Sequence, residues 1–232
     1  FSSSTMTKIP ISAEISRVVM RESRQQAPTP SIKDGSEVIY KKAITTYFWV
    51  GEEATAENGF IYNGQSAWDG NWLEHYGGVD EPTVRCGFLP CGFLLKENPF
   101  YFALPYTDFD NQGKRKSSTV NVPWANEAKE GVSLLKNRWI EIIYGKKTCY
   151  AQWEDVGPFE TDDFDYVFGG NEVPKNNFGL KAGLDVSPAV RDCLGLRGSG
   201  ETQWRFVPEA EVPTGPWRAI MTKDVGETDY AH

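Results

Sequence analysis

The chain has 232 residues, of which 40% are hydrophobic and 13% aromatic, enough apolar material for a real core, so wholesale disorder is excluded. Its formal net charge of -8 excludes a phosphate backbone as partner, because such binding runs on clustered Lys and Arg that release counterions. No window approaches the roughly 18 to 20 apolar residues of a membrane-spanning helix.

Residues 1–40 differ in character from the rest. "ISAEISRVVMRESRQQ" has Ser12 as N-cap and Ile15, Val18, Val19 and Met20 at helical spacing, and the loose "APTPSIKDGSE" follows. This segment reads as a helix plus linker, either docking a partner or packing on the main domain. Strand signals begin at "AITTYFWVG" (43–51) and return at "PFYFALPY" (99–106). "RWIEIIYGKKTCYAQWEDVG" (138–157) reads as a hairpin turning at Gly145, and "TQWRFVP" (202–208) as a closing strand. "TDDFDYVFGG" predicts a short helix capped by Thr161, and "SPAVRDCLGL" another, with Ser187 as N-cap, Pro188 at the first position and Gly195 past its end. Mostly β structure with small helices in the crossovers points to a compact barrel over residues 41–210 rather than a doubly wound sheet. Two stretches rich in Gly, Asn and aromatics, 52–98 and 107–137, read as insertions able to build a groove. Residues 211–232 form a C-terminal extension, wrapped on the barrel or disordered at its end.

Four cysteines, Cys86, Cys91, Cys149 and Cys193, allow three pairings. Their spacing is not CxxC and the only histidines are His75 and His232, which argues against zinc or another metal. Disulfides 86–91 and 149–193 are expected, with buried free thiols as the alternative; the former imply an oxidising compartment. So few histidines also leave little for a nucleophile with an adjacent base. The glycine clusters at 168–170 and 198–200 lack a phosphate-cradling frame, so no cofactor is expected.

Carboxylates remain. Glu154 and Asp155 end the 138–157 hairpin just before Gly157-Pro158, and Asp185 lies in "AGLDVSP", two residues ahead of a helix cap. Elements end there, where groups face clefts, though a turn carboxylate and a helix-entry acid are equally simple readings.

"WEDVGPF" followed by "GLDVSPAV", with "ITTYFWVG" and "YFALPY" ahead of them, resembles the double-psi β-barrel group, in particular the rare lipoprotein A-like domains and expansins. The resemblance covers residues 43–51, 99–106 and 138–208, neither insertion nor the first 40 residues. It implies a six-stranded double-psi β-barrel in a secreted, periplasmic or cell-envelope protein that acts on cell-wall polysaccharide, peptidoglycan or β-glucan. By position, Asp185 matches the acid that protonates the glycosidic oxygen, Asp155 the second groove acid, and Thr45 or Thr46 a groove-lining threonine. Glu154 and Tyr106 fall among the expected substrate contacts. Two departures stand out: Val50 occupies the place where inverting cellulases of this barrel carry a base Asp, and Tyr101 and Phe102 precede the Ala-Leu-Pro where transglycosylases carry a histidine.

Sugar rings stack on aromatic faces. Trp68, Trp72, Tyr76, Tyr106, Trp124 and Trp153 are therefore candidate groove residues, Trp68 and Trp72 foremost because their loop is rich in Gly, Asn and Asp. Two functions stand: a glycan-cleaving enzyme of lytic transglycosylase or glycosidase type, and a carbohydrate-binding or protein-interaction barrel without turnover.

Overall fold

A computed structural model describes residues 38–178 and 180–223. The expected N-terminal helix and the end of the C-terminal extension lie outside them. The chain is mostly β and closes a six-stranded barrel, as expected. The barrel strands are β1 (Lys41–Tyr47), β4 (Tyr101–Leu104), β5 (Trp139–Tyr144), β6 (Lys147–Val156), β7 (Leu184–Val186) and β8 (Gly200–Val207). A two-stranded hairpin, β2 (Arg85–Cys86) and β3 (Leu89–Pro90), sits in the first insertion. Three short helices complete the fold: α1 (Trp72–Tyr76), α2 (Phe164–Val167) and α3 (Pro188–Leu194).

Barrel order is β1-β7-β4-β6-β5-β8. The β1/β7 and β4/β6 pairs are parallel and the other four antiparallel. β5 and β6 form the expected hairpin, with Tyr144 opposite Lys147 and Gly145 at φ +59 in a two-residue loop, a conformation that favours glycine. The sixth strand, β7, is only three residues long and was not marked by any alternating run.

The barrel interior is aromatic. Trp153 stacks on Phe102 and Phe206 with centroids 5.7 Å away in each case, and Trp204, Leu184 and Val186 fill the space around them. One carboxylate is embedded in the wall: Glu141 accepts from Arg205 Nε at 2.6 Å and from the Tyr40 and Tyr150 hydroxyls at 3.0 Å, which satisfies a charge that would otherwise be costly to bury.

Residues 52–98 cover the outer face of β1 and β4. Phe48, Val50, Trp72, Tyr76, Leu89, Leu95, Tyr101 and Ala103 form a second core there. Its polar centre is Asp80, fully buried, ion-paired with Arg85 and accepting the Tyr101 hydroxyl at 2.9 Å; Tyr101 in turn accepts from Val50 N–H at 3.0 Å. Burial raises the Asp80 pKa, and the Arg85 guanidinium pulls it back. A Cys86–Cys91 disulfide closes the β2/β3 hairpin. The second insertion is organised by Asp108, which receives Arg115 at 2.7 Å, Ser133 at 2.8 Å and Leu134 N–H at 2.7 Å. After β8 the chain returns across the barrel, where Trp217 packs on Phe100 and Tyr150.

Helix α3 follows the sequence rules: Ser187 Oγ accepts Val190 N–H at 3.2 Å, Pro188 opens the first turn and Gly195 ends it in a left-handed conformation. Helix α2 is shorter than predicted. It starts after Asp163 rather than at Thr161, because Asp163 is drawn to the Lys175 backbone N–H at 2.6 Å and Thr161 pairs instead with the 107 backbone. The expected 149–193 disulfide is not formed. Cys149 and Cys193 are free thiols whose side chains touch across β6 and α3, the buried Cys149 thiol being held well above its ordinary pKa by burial.

Candidate functional site

Four side chains form a row across four neighbouring strands. In the ladder, Thr46 (β1) lies opposite Asp185 (β7), Asp185 opposite Ala103 (β4), and Ala103 opposite Asp155 (β6). All four face one open cleft of about 750 Å³. The register alone places the two acids on either side of an alanine, whose single methyl leaves the space between them open. Two strand spacings put the Asp155 and Asp185 Cα atoms about 10 Å apart.

A bulge sets up this row. Phe102 pairs with Trp153 but Ala103 pairs with Asp155, so β6 carries one extra residue, Glu154. Trp153 faces the barrel interior, and in an unbroken strand Asp155 would face the same way. The extra residue turns Asp155 outward, and the Trp153 indole N–H fixes the bend by donating to the Asp155 carbonyl at 2.8 Å. Glu154 itself is 2% exposed and does not line the cleft.

Asp155 is held from the insertion as well. Its Oδ1 accepts Ala67 N–H at 2.8 Å, and the neighbouring Trp68 enters the main core, edge-on to Trp153 at 5.9 Å. Burial raises Asp155 to about 7, against the pull of the Ala67 and Val156 N–H groups. Asp185 goes higher, to about 8. Burial is the largest cause; Thr46 lowers it, and the Glu52 and Asp155 carboxylates raise it. Thr46 Oγ1 stands within reach of the Asp185 carboxyl, and a hydrogen bond from it is what lowers the acid's pKa, although neither Thr46 Oγ1 nor Asp185 Oδ1 makes one of good geometry. Both acids are thus held well above the ordinary carboxylate range, so the pair retains a proton near neutral pH. Because the two carboxyls interact, their titration belongs to the pair.

Glu52 is the third acid of the cleft. It accepts Asn63 Nδ2 at 2.7 Å, and burial lifts its pKa. Sequence reasoning passed over it: it sits two residues beyond Val50, and nothing in "VGEEATAENG" separates it from solvent-facing acids. Val50 itself is fully buried in the second core.

The aromatic wall differs from the expected one. None of Trp68, Trp72, Tyr76, Tyr106, Trp124 and Trp153 lines the cleft. Trp72 is 1% exposed and donates to Glu97 at 3.1 Å, Tyr76 packs beside it, and Tyr106 is buried with its hydroxyl 2.8 Å from Ser118. Trp124 lies on Phe206. The cleft is lined by Tyr47 and Trp49, stacked at 6.1 Å on the i, i+2 positions leaving β1, and by Phe159 with Phe178, 4.3 Å apart. Strand alternation likewise decides between the two threonines: Thr46 faces the cleft, whereas Thr45 is buried, its hydroxyl 2.8 Å from that of Thr202.

Among the described residues no group of three or more His, Cys, Asp or Glu side chains is arranged to hold a metal ion, and no helix is long and apolar enough to cross a membrane. No protein-family model matches the chain, and no curated protein is similar enough to match it.

Proposed function

We propose that this is a double-psi barrel of the secreted or cell-envelope type that binds cell-wall polysaccharide in the Asp155/Asp185 cleft and cleaves it there. The observation that carries the reading is the Asp185–Ala103–Asp155 row, two acids held above their ordinary range in a cleft lined by aromatic faces. Asp185 gives its proton to the glycosidic oxygen as the C–O bond breaks, and the Asp155 carboxylate stabilises the positive charge that develops at the anomeric carbon. The roughly 10 Å between Cα atoms suits the ~5 to 9.5 Å carboxyl separations over which paired acids work. A hydroxyl of the same sugar then closes on the anomeric carbon and passes its proton to Asp155, which completes a transglycosylase-type cleavage without water. A cleft that binds glycan without cutting it is the second reading, favoured by the apolar, buried Val50 where related hydrolases hold a base.

Incubation with purified peptidoglycan and with β-glucans, followed by mass spectrometry of the soluble fraction, tests both. Cleavage predicts new oligosaccharides that disappear in Asp185→Asn. Pull-down by a polymer with no soluble product from any of them rejects cleavage and leaves the binding module; neither pull-down nor product rejects both.

A further inference from the structure

Resting on the glycan reading, we infer that the cleft selects a polycationic glycan: a polymer of amino sugars whose amines are free and protonated. Among the described residues six acidic side chains line it, from Glu52, Glu53, Glu57, Glu81, Asp155 and Asp185, and no Lys, Arg or His does. Arg191, over the Tyr47 ring at 4.9 Å, has its guanidinium donating to Asp192 and to the Pro82 carbonyl.

Neutral sugars present hydroxyls that both donate and accept, and a site for them normally offers amide or cationic donors next to its acids. Here the lining amides are spent inside the protein. Both Asn58 Nδ2 hydrogens go to the Glu53 and Ile61 carbonyls at 2.9 Å, and Asn63 Nδ2 donates to Glu52 at 2.7 Å. The lining is thus richer in carboxyl acceptors than in amide or cationic donors, and a ligand rich in donors fits it. An ammonium brings three donors and a positive charge, while the flat C–H face of its ring stacks on Tyr47 and Trp49. Polyuronates and phosphate-bearing wall polymers meet like charge throughout.

Calorimetric titration with glucosamine oligosaccharides, with N-acetylated oligosaccharides of equal length and with oligogalacturonate tests the inference. The amine form binds about tenfold more tightly than the acetylated form at low salt, as several weak ion pairs together produce, and the ratio shrinks as salt is raised. The triple substitution Glu53→Gln, Glu57→Gln, Glu81→Gln collapses that ratio. Removing three acids outside the lining, Glu130→Gln, Glu172→Gln, Glu211→Gln, leaves it intact. A ratio near one, a preference for oligogalacturonate, or equal loss in both triple variants overturns the charge selection while leaving the glycan reading standing. No binding to any of the three oligosaccharides, together with no pull-down by wall polymers, overturns the glycan reading itself.

Discussion

Replacing Asp155 by Asn removes a titrating group and little else, since the amide oxygen still accepts the Ala67 N–H. In the fold this acid titrates near 7, against about 3.9 in an unfolded chain. Below about pH 4 both states hold the proton and the group is neutral for stability. As pH rises from there to about 7 the unfolded chain releases its proton first, so stability falls, and above 7 the full cost is present. Three pKa units at 1.36 kcal/mol each set that cost at about 4 kcal/mol, of which about 3 kcal/mol accrues between pH 5 and pH 9. Urea unfolding of both proteins at these two pH values reads the effect together with the relief of Asp185, whose pKa the Asp155 charge raises. The variant's advantage is expected to grow by about 3 kcal/mol from pH 5 to pH 9. An advantage that does not change with pH refutes the claim that Asp155 is protonated by burial. The same substitution takes a negative charge away from Asp185, so any activity that needs the Asp185 proton loses its alkaline limb at lower pH.

Arg85→Ala strands Asp80 in the second core and is expected to cost about 3 to 5 kcal/mol in denaturant unfolding, with loss of less than 1 kcal/mol arguing that water reaches the acid. Trp49→Ala removes a stacking face and weakens oligosaccharide binding by about tenfold in titration with unchanged unfolding. Trp68→Ala behaves oppositely: about 3 to 5 kcal/mol of stability is lost from the main core, and Asp155 loosens through Ala67. Titration of free thiols in native protein finds Cys193 reacting ahead of the fully buried Cys149, and two thiols in total when unfolded without reductant, from Cys149 and Cys193.

The barrel was legible because its long strands alternate and carry their own punctuation: Gly145 in the hairpin, Ser187-Pro188 and Gly195 around α3. Strand β7 was not, since three residues between two parallel and antiparallel neighbours hold their place through the ladder rather than through pattern. Asp155 and Asp185 were found by position at the ends of elements and by likeness to a family. The stacking face was missed because exposure was inferred from loop composition. Gly and Asn around Trp68 and Trp72 let that loop fold tightly and bury both rings, while Tyr47 and Trp49, in a stretch that looked like core strand, lie where β1 ends and emerges at the cleft. The pairing of Cys149 with Cys193 identified neighbours correctly but not their bonding state.

Two consecutive acids on β6 give the cleft an uncommon tolerance to frame. Should the bulge migrate past Glu154, the residue opposite Ala103 changes from Asp155 to Glu154, and a carboxylate still stands beside Asp185. The longer glutamate reaches about one methylene further across the alanine, so such a slip narrows the gap between the acids instead of abolishing the pair. A shift of the bulge can thus retune the spacing of the two carboxyl groups without first passing through a protein that has lost one of them.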